Sequence, residues 1–166
     1  MENWNVEEIR MKFRPETVKL LLVGESPPSG DEFFYNDGKM TTYTSKSFQK
    51  ALKITFSDNQ EFLKVFKAKG CYLEDLCHEP IDKLAKKERE DKLRRAVPGF
   101  SEIIKSLEPP VLVIVLKKIE PFVREAIAQS GVNTTVYTIP FAGNGHQNKY
   151  MNELHKIIQQ HFVEET

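Results

Sequence analysis

Leu20-Leu21-Leu22-Val23-Gly24 is apolar on both faces and stops on a glycine, and this stretch decides the fold. A half-exposed antiparallel strand would alternate apolar with polar residues, whereas a strand buried in a parallel sheet is apolar throughout. Three further runs have the same character: Gly70-Cys71-Tyr72-Leu73 before Glu74-Asp75, Val111 to Leu116 before Lys117-Lys118, and Thr135 to Ile139 before Pro140. Four buried strands are therefore expected. Between them, apolar residues recur every three or four positions with helix-boundary residues nearby. Val6 to Phe13 forms a short first helix. Ser45 is placed to cap a helix carrying Phe48, Leu52 and Phe56, and Asp58 one carrying Phe62, Leu63 and Phe66 that Gly70 ends. Asp82 to Arg95 reads as a charged helix with a solvated face, and Ser101 to Leu107 as a separate one before Pro109-Pro110. Phe122 to Gly131 and a final stripe of Met151, Leu154, Ile157, Ile158 and Phe162 complete the series. The resulting order is α, β, α, α, β, α, α, β, α, β, α, an α/β chain with right-handed crossovers.

The 166 residues suffice for one domain spanning 1–166, with roughly 70% of the unfolded surface buried. Twenty-four Lys and Arg balance 24 Asp and Glu, with 40% apolar and 29% charged residues. That composition excludes disordered, collagen-like and coiled-coil classes. It also removes the overall basic excess usual in nucleic-acid binders, although the middle, Lys46 to Arg95, is mildly basic between acidic ends. Seven Lys or Arg against four Asp or Glu lie between Asp82 and Arg95. Glu2, Glu7, Glu8 and Glu16 occupy the first 20 residues, where a leader would carry an apolar core, so the cytoplasm is the expected compartment. The longest apolar run, Val111 to Leu116, falls far short of the roughly 20 residues a membrane span needs. Cys71 and Cys77 lack metal spacing, being separated by about 20 Å of extended chain. No Walker sequence, dinucleotide fingerprint or nucleophile elbow follows a strand. No metal and no cofactor are expected.

Ligands in open parallel sheets bind outside the carboxyl ends of the strands, so the strand-ending loops are where chemistry is sought. The first loop reads Gly24-Glu25-Ser26-Pro27-Pro28-Ser29-Gly30-Asp31-Glu32-Phe33-Phe34-Tyr35. Two prolines break strand pairing, and three consecutive aromatics follow. One of them folding back under the loop is expected, but not all three. The last loop, Pro140-Phe141-Ala142-Gly143-Asn144-Gly145-His146, has glycines that let it move.

The Gly-Glu-Ser-Pro-Pro turn with its Phe-Phe-Tyr continuation resembles the first motif of the uracil-DNA glycosylase superfamily, and the resemblance extends over most of the chain. It implies a three-layer αβα sandwich whose four-stranded parallel sheet has the order 2-1-3-4. It also implies a pocket for a flipped base, stacked on an aromatic ring and read along its polar edge, with an N-glycosidic bond cleaved through an oxocarbenium-like state. By position, Gly24 permits the tight turn, Pro27 stiffens a water-binding loop, and Glu25 and Ser26 position the water. Ser26 stands where other members have Asp, Asn or Ala. Phe34 is the expected stacking ring, with Tyr35 the alternative. Asp75 falls where the best-known members use Asn to read uracil. An ionised aspartate only accepts, which suits a base presenting donors, such as an exocyclic amine. The last loop lies where many members have His-Pro-Ser. Here Asn144 and His146 stand near the leaving group, with Phe141 beside the substrate. His78, His155 and His161 read as structural or exposed. The expected partner is DNA or a nucleobase-containing ligand, bound by a monomer. The alternative function is a catalytically inactive nucleobase, nucleoside or nucleic-acid binding module on the same fold, and a third class is a small-molecule hydrolase on an unrelated α/β sheet.

Overall fold

The computed structural model describes residues 5–30 and 32–163. Residues 1–4, Asp31 and 164–166, which the expected domain and first loop include, lie outside the described residues. The order is α1 (Val6–Lys12), β1 (Leu20–Gly24), α2 (Lys39–Leu52), α3 (Asn59–Ala68), β2 (Cys71–Asp75), α4 (Lys86–Leu107), β3 (Val111–Ile114), α5 (Glu120–Ser130), β4 (Thr135–Thr138) and α6 (Gln147–Phe162). The four strands form one all-parallel sheet in the order β2-β1-β3-β4, with Leu20 opposite both Cys71 and Val111. Helices α2, α3 and α6 pack as one layer and α4 with α5 as the other, giving the three-layer sandwich. Leu20 to Val23 and Leu112 to Ile114 are completely buried, as apolar strands between two helical layers must be. Among the described residues, no helix is long and apolar enough to cross a membrane.

Two helix boundaries differ from expectation. Helix α2 starts at Lys39, so Ser45 is a buried mid-helix residue, and Lys53 ends the helix in a left-handed conformation before Phe56. Its first turn is held by Thr41, whose hydroxyl accepts from Gly38 N–H and donates to the Phe34 carbonyl. The apolar period is weak there because hydroxyls make the contact with α6. Thr44 and Tyr150 share a buried bond of 2.7 Å, and Ser47 reaches the Met151 carbonyl. Between β2 and β3 there is a single helix that runs through Pro98 rather than two helices. Leu93, Val97, Phe100 and Ile104 form one continuous buried stripe across the proline, and Pro98 itself faces outward. Burial of four such side chains, roughly 1.5–3 kcal/mol for each large one, is enough to offset the backbone bond and the clash a mid-helix proline costs.

The loop aromatics are a third difference. Phe33, Phe34 and Tyr35 are all buried. Tyr35 stacks on Phe13 at 5.2 Å, and its hydroxyl donates to the carbonyl of Leu73 and accepts from that residue's N–H. β2 is an edge strand, and Tyr35 satisfies backbone groups that an open edge leaves unpaired. The sequence Phe-Phe-Tyr is thus mainly a plug over the edge of the sheet.

Candidate functional site

The sheet order reverses direction between β1 and β3, and the crevice expected at such a switch point is present. It is a cleft of about 540 Å³ at the carboxyl ends of the strands. Backbone pairing continues past β1 into its wall. Leu76 N–H donates to the Gly24 carbonyl and Cys77 N–H to the Glu25 carbonyl, each at 2.9 Å, so the turn is pinned to the chain after β2. Gly24, Glu25, Ser26 and Pro27 line the cleft together with Phe34, Asp75, Phe141 and Asn144. Eight expected site residues from four separate segments therefore meet in one place.

Two others do not line it. Tyr35 is consumed by the edge of β2, and its burial, which pushes its hydroxyl pKa up, leaves no ring face for a ligand. His146 immediately precedes α6 and is exposed, without a side-chain bond to the helix start. Asn144, in a left-handed conformation, turns the loop so that position 144 faces the cleft and position 146 begins the helix. Phe141 is 43% exposed on the cleft wall, unusual for so large an apolar ring. A Cβ at Gly143 would lie 2.9 Å from that ring, so the glycine lets Phe141 rest on its own loop.

Gly24 has a similar but tighter role. A Cβ there would lie 2.8 Å from Asp75 Oδ1, so this oxygen sits over bare backbone at the bottom of the cleft. The other oxygen of Asp75 is held by Arg10, whose Nη2 donates to Oδ2 at 2.6 Å. Arg10 is completely buried, pairs with Glu7, and has Nε 3.3 Å from Glu74 Oε1. His78 closes the cluster, 2.9 Å from Glu74 and 3.3 Å from Glu7. Arg10 was legible only as a cation sharing the stripe of Val6, Ile9 and Phe13 in the first helix, a placement that a solvated arginine does not take.

Glu25 is bound twice. Its Oε1 accepts from Arg89 Nε at 3.1 Å and from Nη2, while Oε2 lies 3.2 Å from Lys118 Nζ with no hydrogen bond of good geometry. Arg89 comes from the charged stretch that reads as a solvated face, and Lys118 from the residues that merely end β3. Neither carried a distinguishing signal in the sequence. The Ser26 hydroxyl lines the cleft and makes no hydrogen bond among the described residues.

The buried cluster also sets a pH dependence. Burial pushes Asp75 up to about 6, with Arg10 pulling the other way and Glu74 adding to the rise. Burial works against the charge of Arg10 too, but Glu74, Asp75 and Glu7 outweigh it and its pKa rises. The bond to Glu74 raises His78 despite burial. Both Asp75 and His78 therefore hold protons more tightly folded than unfolded, and their contributions to stability are lost as pH rises. For Asp75 the loss falls between about 3.8 and about 6, and for His78 it falls above its ordinary 6.5. Thermal midpoints at pH 5 and pH 8 should differ in favour of pH 5 more in the wild type than in a His78→Gln/Asp75→Asn variant. An identical difference in the two proteins would contradict this account of the cluster.

No family model matches the chain, and no curated protein matches it significantly.

Proposed function

We propose that the cleft is a nucleobase pocket of the uracil-DNA glycosylase type, and that the protein hydrolyses the N-glycosidic bond of a damaged or modified base in DNA. One observation carries this reading. The turn after β1, the end of β2 and the loop after β4 converge with Phe34 on a single cleft at the carboxyl ends of a parallel sheet. These are the places that base recognition, water positioning and leaving-group contact require of such an enzyme. Glu25 and Ser26 hold the water, Asp75 reads the edge of the base, and Asn144 stands at the leaving group. Arg89 and Lys118 add positive charge at the wall, where a base departing as an anion is stabilised.

In this reading two aromatic rings share the work. Phe34 packs against Tyr35 and Phe66 and is only 5% exposed, so it offers an edge of the pocket, while Phe141 offers an open ring. Phe141→Ala is expected to weaken base binding by roughly 5- to 150-fold, the equivalent of about 1–3 kcal/mol of stacking, with the thermal midpoint nearly unchanged. A titration in which Phe141→Ala binds like the wild type would remove it from the pocket.

A second reading, a binding module without catalysis, is favoured by the two cations on Glu25 and by the position of His146 outside the cleft. The two readings part in one assay. Single- and double-stranded oligonucleotides carrying uracil, hypoxanthine, xanthine or a mismatch are incubated with the folded protein and tested for alkali-labile abasic sites. Strand breaks at the modified base support the hydrolase, and binding at low salt without breaks supports the module. Neither breaks nor binding would contradict both.

A further inference from the structure

Three carboxylates, Glu7, Glu74 and Asp75, meet one guanidinium at the end of β2. Arg10 reaches there from α1 with 1% of its side chain exposed, and it takes Oδ2 of Asp75. The remaining oxygen, Oδ1, lies over the bare Cα of Gly24, and Asp75 and Gly24 both line the cleft. A carboxylate grips a forked pair of donors only when both oxygens are free. Here one oxygen is occupied from behind. We infer that Arg10 is the positioning residue that determines specificity in the cleft. By holding Asp75 through Oδ2, it leaves Oδ1 as a single charged acceptor, so the site takes an amino-bearing base, cytosine or adenine in a mismatch or in modified form, over its carbonyl-bearing counterpart.

This inference rests on the nucleobase reading above and names the class of base. The exocyclic amine of cytosine or adenine gives Oδ1 a charge-assisted bond; uracil or hypoxanthine offers it only a ring N–H, and that bond brings the neighbouring carbonyl against the same anion. The surroundings decide which state Asp75 presents. It faces Arg10 from α1, Glu74 from its own strand, and Cys77 and His78 from the following turn. Across the cleft stand Glu25 with Arg89, and further along Glu32, Lys39 and Asp82. Burial brings Asp75 up to about 6, so it is an acceptor at pH 7.5 and carries a donating O–H at pH 5. The preference for amino-bearing bases should therefore fall, and then invert, on acidification.

Asp75→Asn gives the sharper test, because it changes size little. Arg10 can only donate, so it should hold the amide oxygen and turn the NH₂ into the cleft, converting an acceptor into a donor. Calorimetric affinities of cytosine against uracil, and of adenine against hypoxanthine, are compared at pH 7.5 for the wild type, Asp75→Asn and Arg10→Met/Asp75→Asn, with folding checked by circular dichroism. The wild type should prefer the amino-bearing member of each pair by roughly tenfold or more. Asp75→Asn should prefer the carbonyl-bearing member, and the double variant, with nothing to orient the amide, should discriminate least. Equal affinities in the wild type, or an Asp75→Asn protein that binds bases without inversion, would overturn the role of Arg10. Absence of binding to any base would instead overturn the nucleobase reading on which it rests.

Discussion

Arg10→Met should lower the unfolding free energy by about 3–5 kcal/mol, the usual cost of removing one partner from a buried ionic group. Methionine fills similar space, so the loss would come from charge rather than from a cavity. Glu7, Glu74 and Asp75 would be left around His78 with their main cation gone. In a protein of this size each kcal/mol moves the midpoint by roughly 2–4 °C, so a fall of roughly 6–20 °C is expected. The fall should be smaller at pH 5 than at pH 8, because Asp75, pushed up to about 6 by burial, is protonated at pH 5 and needs the cation less. A midpoint within roughly 2 °C of the wild type at pH 8 would show that the cluster is well hydrated and that Arg10 holds nothing in place.

Gly24→Ala should cost roughly one hundredfold in ligand affinity while leaving the fold intact. The new Cβ would stand 2.8 Å from Asp75 Oδ1. A flexible surface carboxylate would swing aside at little cost, but this one is anchored by Arg10 through its other oxygen. It must either tilt off the guanidinium or present Oδ1 at a different height. Misplacement of a recognition group by about 1 Å is enough for a hundredfold effect. Parallel titrations of wild type and Gly24→Ala with the same oligonucleotide decide the matter. Affinity within about twofold would mean that ligand binding does not use Oδ1.

The sheet was legible because its strands are buried on both faces, so Leu20 to Val23 and Val111 to Leu116 could not belong to anything half-exposed. The loops at the strand ends followed from the same reasoning, and with them Gly24, Glu25, Asp75 and Phe141 at the cleft. What escaped was the interaction made between segments distant in sequence. Local composition presents Arg89 as one more charge on a solvated helix, and only the fold brings it to Glu25, 64 positions away. Arg10 and Asp75 are 65 positions apart. Tyr35, the alternative stacking ring, is ambiguous for a related reason: an aromatic after a strand-ending loop suits a ligand or an open sheet edge equally well, and the edge of β2 claims it. Pro98 signals a helix break locally, but the stripe from Leu93 to Ile104 overrides it. The first turns of α2 are hard to read in the sequence because hydroxyls, not apolar side chains, make the contact with α6.

Under the proposed function, a nucleobase enters the cleft at the carboxyl ends of β1 and β2. Backbone amide chemical shifts, followed while a short single-stranded oligonucleotide with one unpaired base is titrated at low salt, test it most directly. The largest changes are expected at Gly24, Glu25, Ser26, Asp75 and Phe141 to Asn144, and they should be lost in Gly24→Ala. Changes confined to the opposite side of β2, around Tyr72, His78 and Glu102, or no changes at all, would contradict the claim.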